Sequence, residues 1–322
     1  MEPSMSPRWG FDSFYFRYYK HAAPLELSRG IAGSLRELAS INHRLPPHQA
    51  LKHNRLLTPA LSSVDEEREP DMSQENYYHH NEAYAEFLAS WDAGFYSKYA
   101  DTLKPEKPDS RTLDVGCGVG QVVARLTEAG YEAYGVDISE PNIERARKFS
   151  TRCQVYDGKE LPFPDQHFAS VGALNVLEHV EEPEDFIREL VRVTQIGGRI
   201  VLSSPNFFRV FGFRDYHPKM RGVGNKWRNW KRLCEKRRQI KTDPASVRFD
   251  RMKPIIKEPF TPDDDAIVAT NPLEMKFFLE RSGCRVESVA CTDRYVAKPI
   301  DLALNLTPLR YLMFNAFLVA RR

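Results

Sequence analysis

The chain reads as an α/β protein: seven strands in a mostly parallel sheet with helices on both faces, an antiparallel closing strand and a helical insertion. Three observations predict it. Leu113-Asp-Val-Gly-Cys-Gly-Val-Gly-Gln121 describes a buried strand that breaks into a glycine turn and runs on into a helix. Short apolar runs then alternate with amphipathic stretches from residue 112 to 202, at the pitch of repeated β-α units. The end departs from that alternation, with one helix followed by two strands, which suits an antiparallel pair.

Residues 1–72 look foreign to the rest of the chain. They carry Trp9, Phe11, Phe14, Tyr15 and Phe16, then Arg, His and Pro without a sustained period, then an acidic stretch at 65–71. Poor order with at most one short helix near 25–38 is expected there. Met72 stands directly before the orderly pattern and competes with Met1 as the true start, a choice that N-terminal sequencing of native protein decides. Residues 73–322 read as one domain. A helix over 81–99 places Tyr84, Phe87, Leu88, Trp91 and Phe95 at three-and-four spacing. Strands come next at 112–115, 133–136, 154–156, 170–174 and 199–202, separated by helices at 119–129, 140–149 and 183–194. The end comprises a helix at 272–281 and strands at 285–291 and 313–320.

The stretch 207–271 interrupts this order. A compact domain does not sustain a structureless loop of that length, so a helical cap is expected, with a helix at 226–240 carrying Trp227, Trp230 and Cys234 on one side. Charge is concentrated here. The whole chain balances 46 Lys and Arg against 44 Asp and Glu, but residues 207–257 hold sixteen basic and four acidic side chains, net +12. Five cysteines (117, 153, 234, 284 and 291) are odd in number and form no C-x-x-C pair. They argue for the reduced thiols of a cytoplasmic protein, against a disulfide frame or a zinc site. No run approaches the ~18 apolar residues of a membrane span, and residues 1–20 lack the apolar core of a cleavable signal.

The chemistry starts at the glycine turn. Glycines at 116, 118 and 120 give G-x-G-x-G, and Gln121 stands where the dinucleotide fingerprint G-x-G-x-x-G has glycine or alanine. Gly116 and Gly118 remove Cβ atoms that would hold a ligand away, and Gly120 opens a helix whose free amides point at the site. Cys117 is a small buried filler within the turn. Asp137, closing Tyr-Gly-Val-Asp on the second strand and followed by Ile138, is placed to accept both hydroxyls of a ribose.

On these residues the chain resembles the class I S-adenosylmethionine-dependent methyltransferases, of the ubiquinone-type and methyltransferase type 11 kind. Their first motif, Asp/Glu-x-Gly-x-Gly-x-Gly, is met by Asp114, Gly116, Gly118 and Gly120. The resemblance implies S-adenosyl-L-methionine as cofactor and a Rossmann-like sheet. It also implies that Asp157, in Asp157-Gly158, binds the adenine amino group with Leu161 against the ring. Leu161-Pro-Phe-Pro-Asp165 followed by Phe168 resembles the family's Leu-Pro-Phe-x-Asp-x-x-Phe-Asp segment, with Ala169 departing from its last acid. Residues 173–180, Ala-Leu-Asn-Val-Leu-Glu-His-Val, fall where the family places its active-site wall, and the likeness runs from near Tyr77 onward.

Methyl transfer from a sulfonium is an in-line displacement, so alignment supplies much of the catalysis, and a hydroxyl acceptor additionally needs a base. His179 is the candidate base or acceptor-positioning group, against a purely structural histidine; Asn175 faces cofactor and acceptor beside it. Relatives with Glu-x-x-Glu-His hold a divalent metal at this wall. Here Asn175-Val-Leu-Glu178-His179 puts an amide in the first place, a weaker ligand for a hard cation, and no metal is expected. The basic cap stands open to four readings: peripheral contact with an anionic membrane through 207–241, a clamp on nucleic-acid phosphates, a pocket for a small anionic acceptor, or a solvated face offset by Glu258 and Asp263–Asp265. The expected activity is methyl transfer to a small or lipid-like acceptor at oxygen. An RNA methyltransferase and a non-catalytic binding protein are the rivals.

Overall fold

A computed structural model describes residues 82–89, 96–212, 217–255, 263–292, 298–313 and 315–322. The expectations for 1–72, Trp91, Phe95 and Glu258 lie outside them. Seven strands form one sheet: β1 (Arg111–Val115), β2 (Glu132–Asp137), β3 (Cys153–Val155), β4 (Phe168–Leu174), β5 (Thr194–Pro205), β6 (Arg285–Thr292) and β7 (Asn315–Arg321), in the order β3-β2-β1-β4-β5-β7-β6. β1 pairs in parallel with β2 and β4, and β5 with β4; β7 runs antiparallel to both β5 and β6. The chain therefore steps outward from β1 on one side and returns to its other side at β4. That reversal opens a crevice beyond the carboxyl ends of β1 and β4, where ligands of such sheets sit.

The strands read as continuous apolar runs because both faces are covered. Leu113, Val115, Val171, Ala173, Ile200 and Leu202 are fully buried in one cluster with Ile187 and Leu190 of α5 (Pro183–Val193), and Ala133 and Val201 in a second with Val123 of α3 (Gln121–Glu128) and Ile143 of α4 (Glu140–Ala146). α3 begins at Gln121, two residues later than the periodicity suggests, because Gly120 is left-handed, φ 85°, and closes the turn. β5 is far longer than its predicted core of 199–202. Its pairing with β7 runs from Arg199 opposite Arg321 to Pro205 opposite Asn315, and so draws Ser203 and Ser204 into the interior. Their polarity hid them from a reading based on apolar runs; Ser203 Oγ gives its proton to the Ala316 carbonyl at 3.0 Å.

Three other expectations change. In place of one helix over 81–99 there are α1 (Glu82–Ala89) and α2 (Ser97–Leu103), and the packing face of α2 continues past Tyr99 to Ala100 and Leu103. The last two strands are not consecutive: α8 (Lys298–Asn305) and a 3-10 turn (Pro308–Leu312) lie between them. Ile300 and Leu302 of α8 are exposed while Leu304 is half-buried against the core, so the helix shows no long apolar period in the sequence. In the insertion, α6 (Gly222–Thr242) is longer than the predicted 226–240 and turned the other way. Asn229, Leu233 and Lys236 face inward, while Trp227, Trp230 and Cys234 are exposed.

The insertion is fastened by polar groups as much as by apolar ones. Asn229 Nδ2 donates to the Phe207 and Arg209 carbonyls, both at 3.1 Å. Lys236 Nζ reaches the Arg248 carbonyl at 2.6 Å, Asp250 Oδ1 at 2.8 Å and Glu274 Oε1 at 2.6 Å. Glu274 lies in the first turn of α7 (Pro272–Arg281), where Asn271 caps the helix by accepting from the Leu273 and Glu274 N–H groups at 3.1 and 3.0 Å.

Candidate active site

The glycine turn is tied to the strand beside it. Gly116 and Cys117 donate their N–H groups to the Val136 carbonyl at 2.8 and 3.0 Å, and Gly118 N–H reaches Asp137 Oδ2 at 2.9 Å. Asp137 Oδ1 accepts from Ser139 N–H at 2.9 Å and Asn142 Nδ2 at 3.2 Å, so its carboxylate both ends β2 and shapes the turn. The three glycines have different tasks. A Cβ on Gly116 would fall 2.3 Å from Val176 Cγ2, and one on Gly118 would meet only Leu88 Cδ1, at 3.2 Å. A Cβ on Gly120 would lie 2.8 Å from the Ala146 Cα, so Gly120 serves the approach of α4 to the turn. Gly118 and Gly120 both have positive φ and share that strain on substitution. Gly120→Ala is expected to lose about 2 kcal/mol more stability than Gly118→Ala, since backbone and not a side-chain tip must move. Gly118→Ala should instead weaken S-adenosylhomocysteine binding; melting curves and calorimetry on the pair check both halves.

Beneath the turn, the Asp114 side chain is buried and accepts the Tyr99 hydroxyl at 2.7 Å. Gly172 on β4 makes room for that ring: a Cβ there would lie 2.3 Å from the Tyr99 oxygen. Burial pushes the Asp114 carboxyl up to about 7, against the downward pull of the Tyr99 hydroxyl, while the charge of Asp137 adds to the rise. An unfolded chain ionises this group near pH 4. Its favourable contribution is thus complete below that pH and is lost as pH rises through about 7. Asp114→Asn keeps an acceptor for Tyr99 and removes the ionisation. Thermal melts should show the variant gaining on the parent by about 2–3 kcal/mol between pH 5 and 8.

The other cofactor candidates gather at the same edge. A Cβ on Gly158 would touch Ile138 Cγ2 at 3.2 Å, which sets the Asp157–Gly158 turn beside the end of β2. Asp157 is exposed, and its Oδ1 accepts from the Lys159 and Glu160 N–H groups at 2.8 and 3.0 Å. The Lys159 N–H chiefly holds its carboxyl below the usual range. Leu161 is buried in the main core, and its N–H bonds to Glu189 Oε2 at 2.9 Å. The Cys117 thiol is buried, and its hydrogen bond with Cys153, reinforced by burial, keeps it well above the ordinary thiol range, as an inert filler requires.

The second wall continues from β4. Asn175 is left-handed, φ 53°; its N–H bonds to the Ser203 carbonyl at 2.9 Å, and its buried Oδ1 has no hydrogen-bond partner. Glu178 and His179 lie in a 3-10 turn, Leu177–His179. The Glu178 carbonyl accepts from both Ile267 N–H (2.9 Å) and Val268 N–H (3.0 Å), and this stitches the segment after Asp265 onto the wall. Asp263, Asp264 and Asp265 are consequently buried, at 8, 2 and 5 % exposure, and do not offset the basic face of α6. His179 Nδ1 lies 3.6 Å from Asp265 Oδ2. Burial carries the imidazole down to about 4, against a backbone hydrogen bond at Asp265, so it is neutral at physiological pH. Glu178 is wholly buried, with Oε2 accepting from Ser204 Oγ at 2.9 Å. Burial, then the charge of Asp263, raises its carboxyl well above the usual range.

Tyr84 lies on α1, half-buried. Burial first, and then the charges of Asp137, Tyr96, Asp263 and Glu178, push its hydroxyl upward. α1 is anchored over the turn by Gln121 Nε2 donating to the Leu88 carbonyl at 3.3 Å and by Arg145 pairing with Glu82 at 2.9 Å. Asp263, Asp265, Ser204 and Tyr84 thus join the site without a motif to announce them. One signal was present for the acids: Asp263-Asp264-Asp265 runs straight into the apolar Ala266-Ile-Val-Ala269, a pairing that suits an inward-facing turn better than a solvated one.

Known proteins share parts of this chain. A solved S-adenosylmethionine-dependent methyltransferase of Mesorhizobium loti aligns over 72 % of this chain and 98 % of its own, at a TM-score of 0.46 and 18 % identity. The 27-O-demethylrifamycin SV methyltransferase of Amycolatopsis mediterranei is 36 % identical over 109 residues, 31 % of this chain and 40 % of the relative. The ajmaline N-methyltransferase of Rauvolfia serpentina is 31 % identical over 109 residues, 31 % of this chain and 38 % of the relative. The chain thus spans about two fifths of the length of these curated relatives. The family described as a methyltransferase domain matches residues 113–202, from the glycine turn through the wall after β4 to the middle of β5. That match takes in the glycine turn, Asp137 and the wall after β4, and over these residues, with the seven-stranded sheet built around them, the chain is similar to the methyltransferase domain family.

Proposed function

We propose that this protein transfers a methyl group from S-adenosyl-L-methionine to an oxygen of a small or lipid-like acceptor, as a cytoplasmic enzyme working at a membrane surface. The observation that supports the reading is geometric: Asp137, at the end of β2, is bonded to the glycine turn, and His179 lies beside Asp265 in the turn just after β4, the strand next to β1. Asp137 receives the ribose hydroxyls, and the turn at Gly116 and Gly118 admits the methionine end. The buried Asn175 Oδ1 offers an acceptor to a donor group of either ligand. As the methyl leaves the sulfonium, the donor loses its charge and the acceptor hydroxyl loses its proton. His179 takes that proton, and Asp265 at 3.6 Å steadies the resulting imidazolium.

His179→Ala is expected to lower turnover about 100-fold or more with S-adenosylhomocysteine affinity unchanged. The parent's rate should stay level from pH 8 down to about 5 as far as this group is concerned, because its neutral form persists until pH approaches about 4. A histidine at its ordinary value would halve the rate near pH 6.5.

The membrane half is supported by the outward face of α6. Trp227 and Trp230, 60 and 41 % exposed, stand among exposed Arg228, Lys231, Arg237, Arg238 and Lys241, with Lys231 Nζ 5.3 Å from the Trp227 ring. Among the described residues no helix is long and apolar enough to cross a membrane. Interfacial tryptophans between cations suit an anionic bilayer surface better than a purely electrostatic phosphate clamp. The deciding experiment incubates the protein with methyl-labelled S-adenosylmethionine and cell extract. Label in the lipid or small-molecule fraction, with flotation on anionic vesicles, supports the reading. Label in RNA replaces it by the nucleic-acid alternative, and cofactor binding without any labelled product favours a non-catalytic binding protein.

A further inference from the structure

We propose that α8 and the turn after it form a shallow membrane-inserting face, and that its partner is the surface of an anionic bilayer. The inference rests on the membrane half of the proposed function and names a second element that carries it. Pro299, Leu302, Ala303 and Leu306 recur at the three-and-four spacing of one helical face, and all four are exposed. Leu306 lies one residue past the helix end, but its N–H still bonds the Leu302 carbonyl at 3.2 Å, so it continues that face. Leu302 and Leu306 are 63 and 76 % exposed. Leu304 falls on the opposite side of the helix and packs against the core. A surface helix ordinarily turns an apolar side inward and a polar side outward. Here both sides are apolar, and the outer one has no burial of its own.

The face is tied to the basic insertion through the backbone. In the 3-10 turn that follows α8, the Leu312 carbonyl accepts from both Val210 and Phe211 N–H, at 2.9 and 3.0 Å. Asn206 Nδ2 donates to the Tyr311 and Met313 carbonyls at 2.9 and 2.6 Å. The same segment is held from α6, where Asn229 Nδ2 donates to the Phe207 and Arg209 carbonyls. Phe211 and Leu309, one from each side of this junction, are both exposed. Exposed apolar side chains thus come from two elements far apart in sequence and fastened to one strip of backbone, which a scatter of single surface residues does not do.

Charge complementarity selects the occupant. Residues 207–257 carry a net charge of +12, and α6 exposes Arg228, Lys231, Arg237 and Arg238 beside its tryptophans. Buried apolar area and attraction of cations to anionic headgroups together set the strength of interfacial binding. The two elements divide that work, with α8 supplying aliphatic side chains and α6 the cations. The junction also gives the face a use. Asn206 follows Ser204, whose hydroxyl holds Glu178 Oε2 at 2.9 Å, so the 3-10 turn is bonded two residues from a group that fixes the wall after β4. A lipid-like acceptor anchored in the bilayer by its chain meets the protein on the side tied to that wall.

The test is flotation of the purified full chain with vesicles of phosphatidylserine and phosphatidylcholine, and with vesicles of phosphatidylcholine alone. The parent is expected to bind the anionic vesicles about tenfold or more better than the neutral ones. Leu302→Glu combined with Leu306→Glu should weaken binding to the anionic vesicles about tenfold or more, with S-adenosylhomocysteine affinity and melting temperature near those of the parent. If the pair lowers the melting temperature, Leu306→Glu alone, at the most exposed position of the face, carries the same test. Equal flotation of parent and both variants overturns the proposal while leaving the membrane reading to α6. Equal flotation of the parent on the two compositions overturns the anionic partner. A parent that floats with neither vesicle sinks this face and the membrane reading together. A parent that is dimeric by light scattering, with a monomeric Leu306→Glu that still floats, assigns the face to a second copy of the chain and also overturns the proposal.

Discussion

Asp137→Ala is expected to weaken S-adenosylhomocysteine binding by about 100-fold or more, a change of about 2.7 kcal/mol in calorimetry. Two losses combine. The ribose loses a charged acceptor, and hydrogen bonds to charged groups are worth about 1.5–3 kcal/mol. The protein loses the bonds that Gly118 N–H, Ser139 N–H and Asn142 Nδ2 make to the same carboxylate, so the turn no longer has a fixed shape for the ligand to meet. Asp137→Asn retains one acceptor oxygen and should fall between parent and alanine variant. An unchanged dissociation constant in Asp137→Ala would remove the donor half of the assignment.

The second large effect belongs to the insertion. Lys236→Met should lower stability by about 3–5 kcal/mol, because it leaves the fully buried Glu274 facing Asp250 without their shared cation. Burial pulls the Lys236 ammonium down, yet the facing Glu274 and Asp250 carboxylates outweigh it and hold it charged. The double variant Lys236→Met with Glu274→Met removes both charges and should recover most of the loss. If the two substitutions were additive, the ion cluster would contribute nothing of its own. Cofactor affinity should stay near that of the parent in both, since α6 and α7 lie outside the glycine turn.

The sheet was legible because β1, β2, β4 and β5 announce themselves as apolar runs between turn residues, and the turn bonded to Asp137 because glycine spacing and a strand-end carboxylate are local features. The wall after β4 was half legible. Asn175, Glu178 and His179 are near neighbours just after β4, but Asp263 and Asp265 come from some 85 residues further along the chain, their segment joined there by the bonds of Ile267 and Val268 to the Glu178 carbonyl. α6 was found and misoriented for a different reason. Its buried face is Asn229, Leu233 and Lys236, two of them polar, and its tryptophans point outward, the reverse of the usual amphipathic rule.

The position of β7 also governs the order in which the molecule can be completed. β5 ends at Pro205, and the strand that covers its outer edge begins at Asn315. During synthesis β5 is therefore an open edge of twelve residues while more than a hundred later residues emerge, and an unpaired edge of that kind invites association with other chains. The long delay in closing it also raises the loop entropy paid before the last pairing forms, so folding is slow relative to a sheet wound in sequence order. Nascent chains arrested within the insertion should be the aggregation-prone species, and their rescue by a holding chaperone is the kinetic signature of a late-closing sheet.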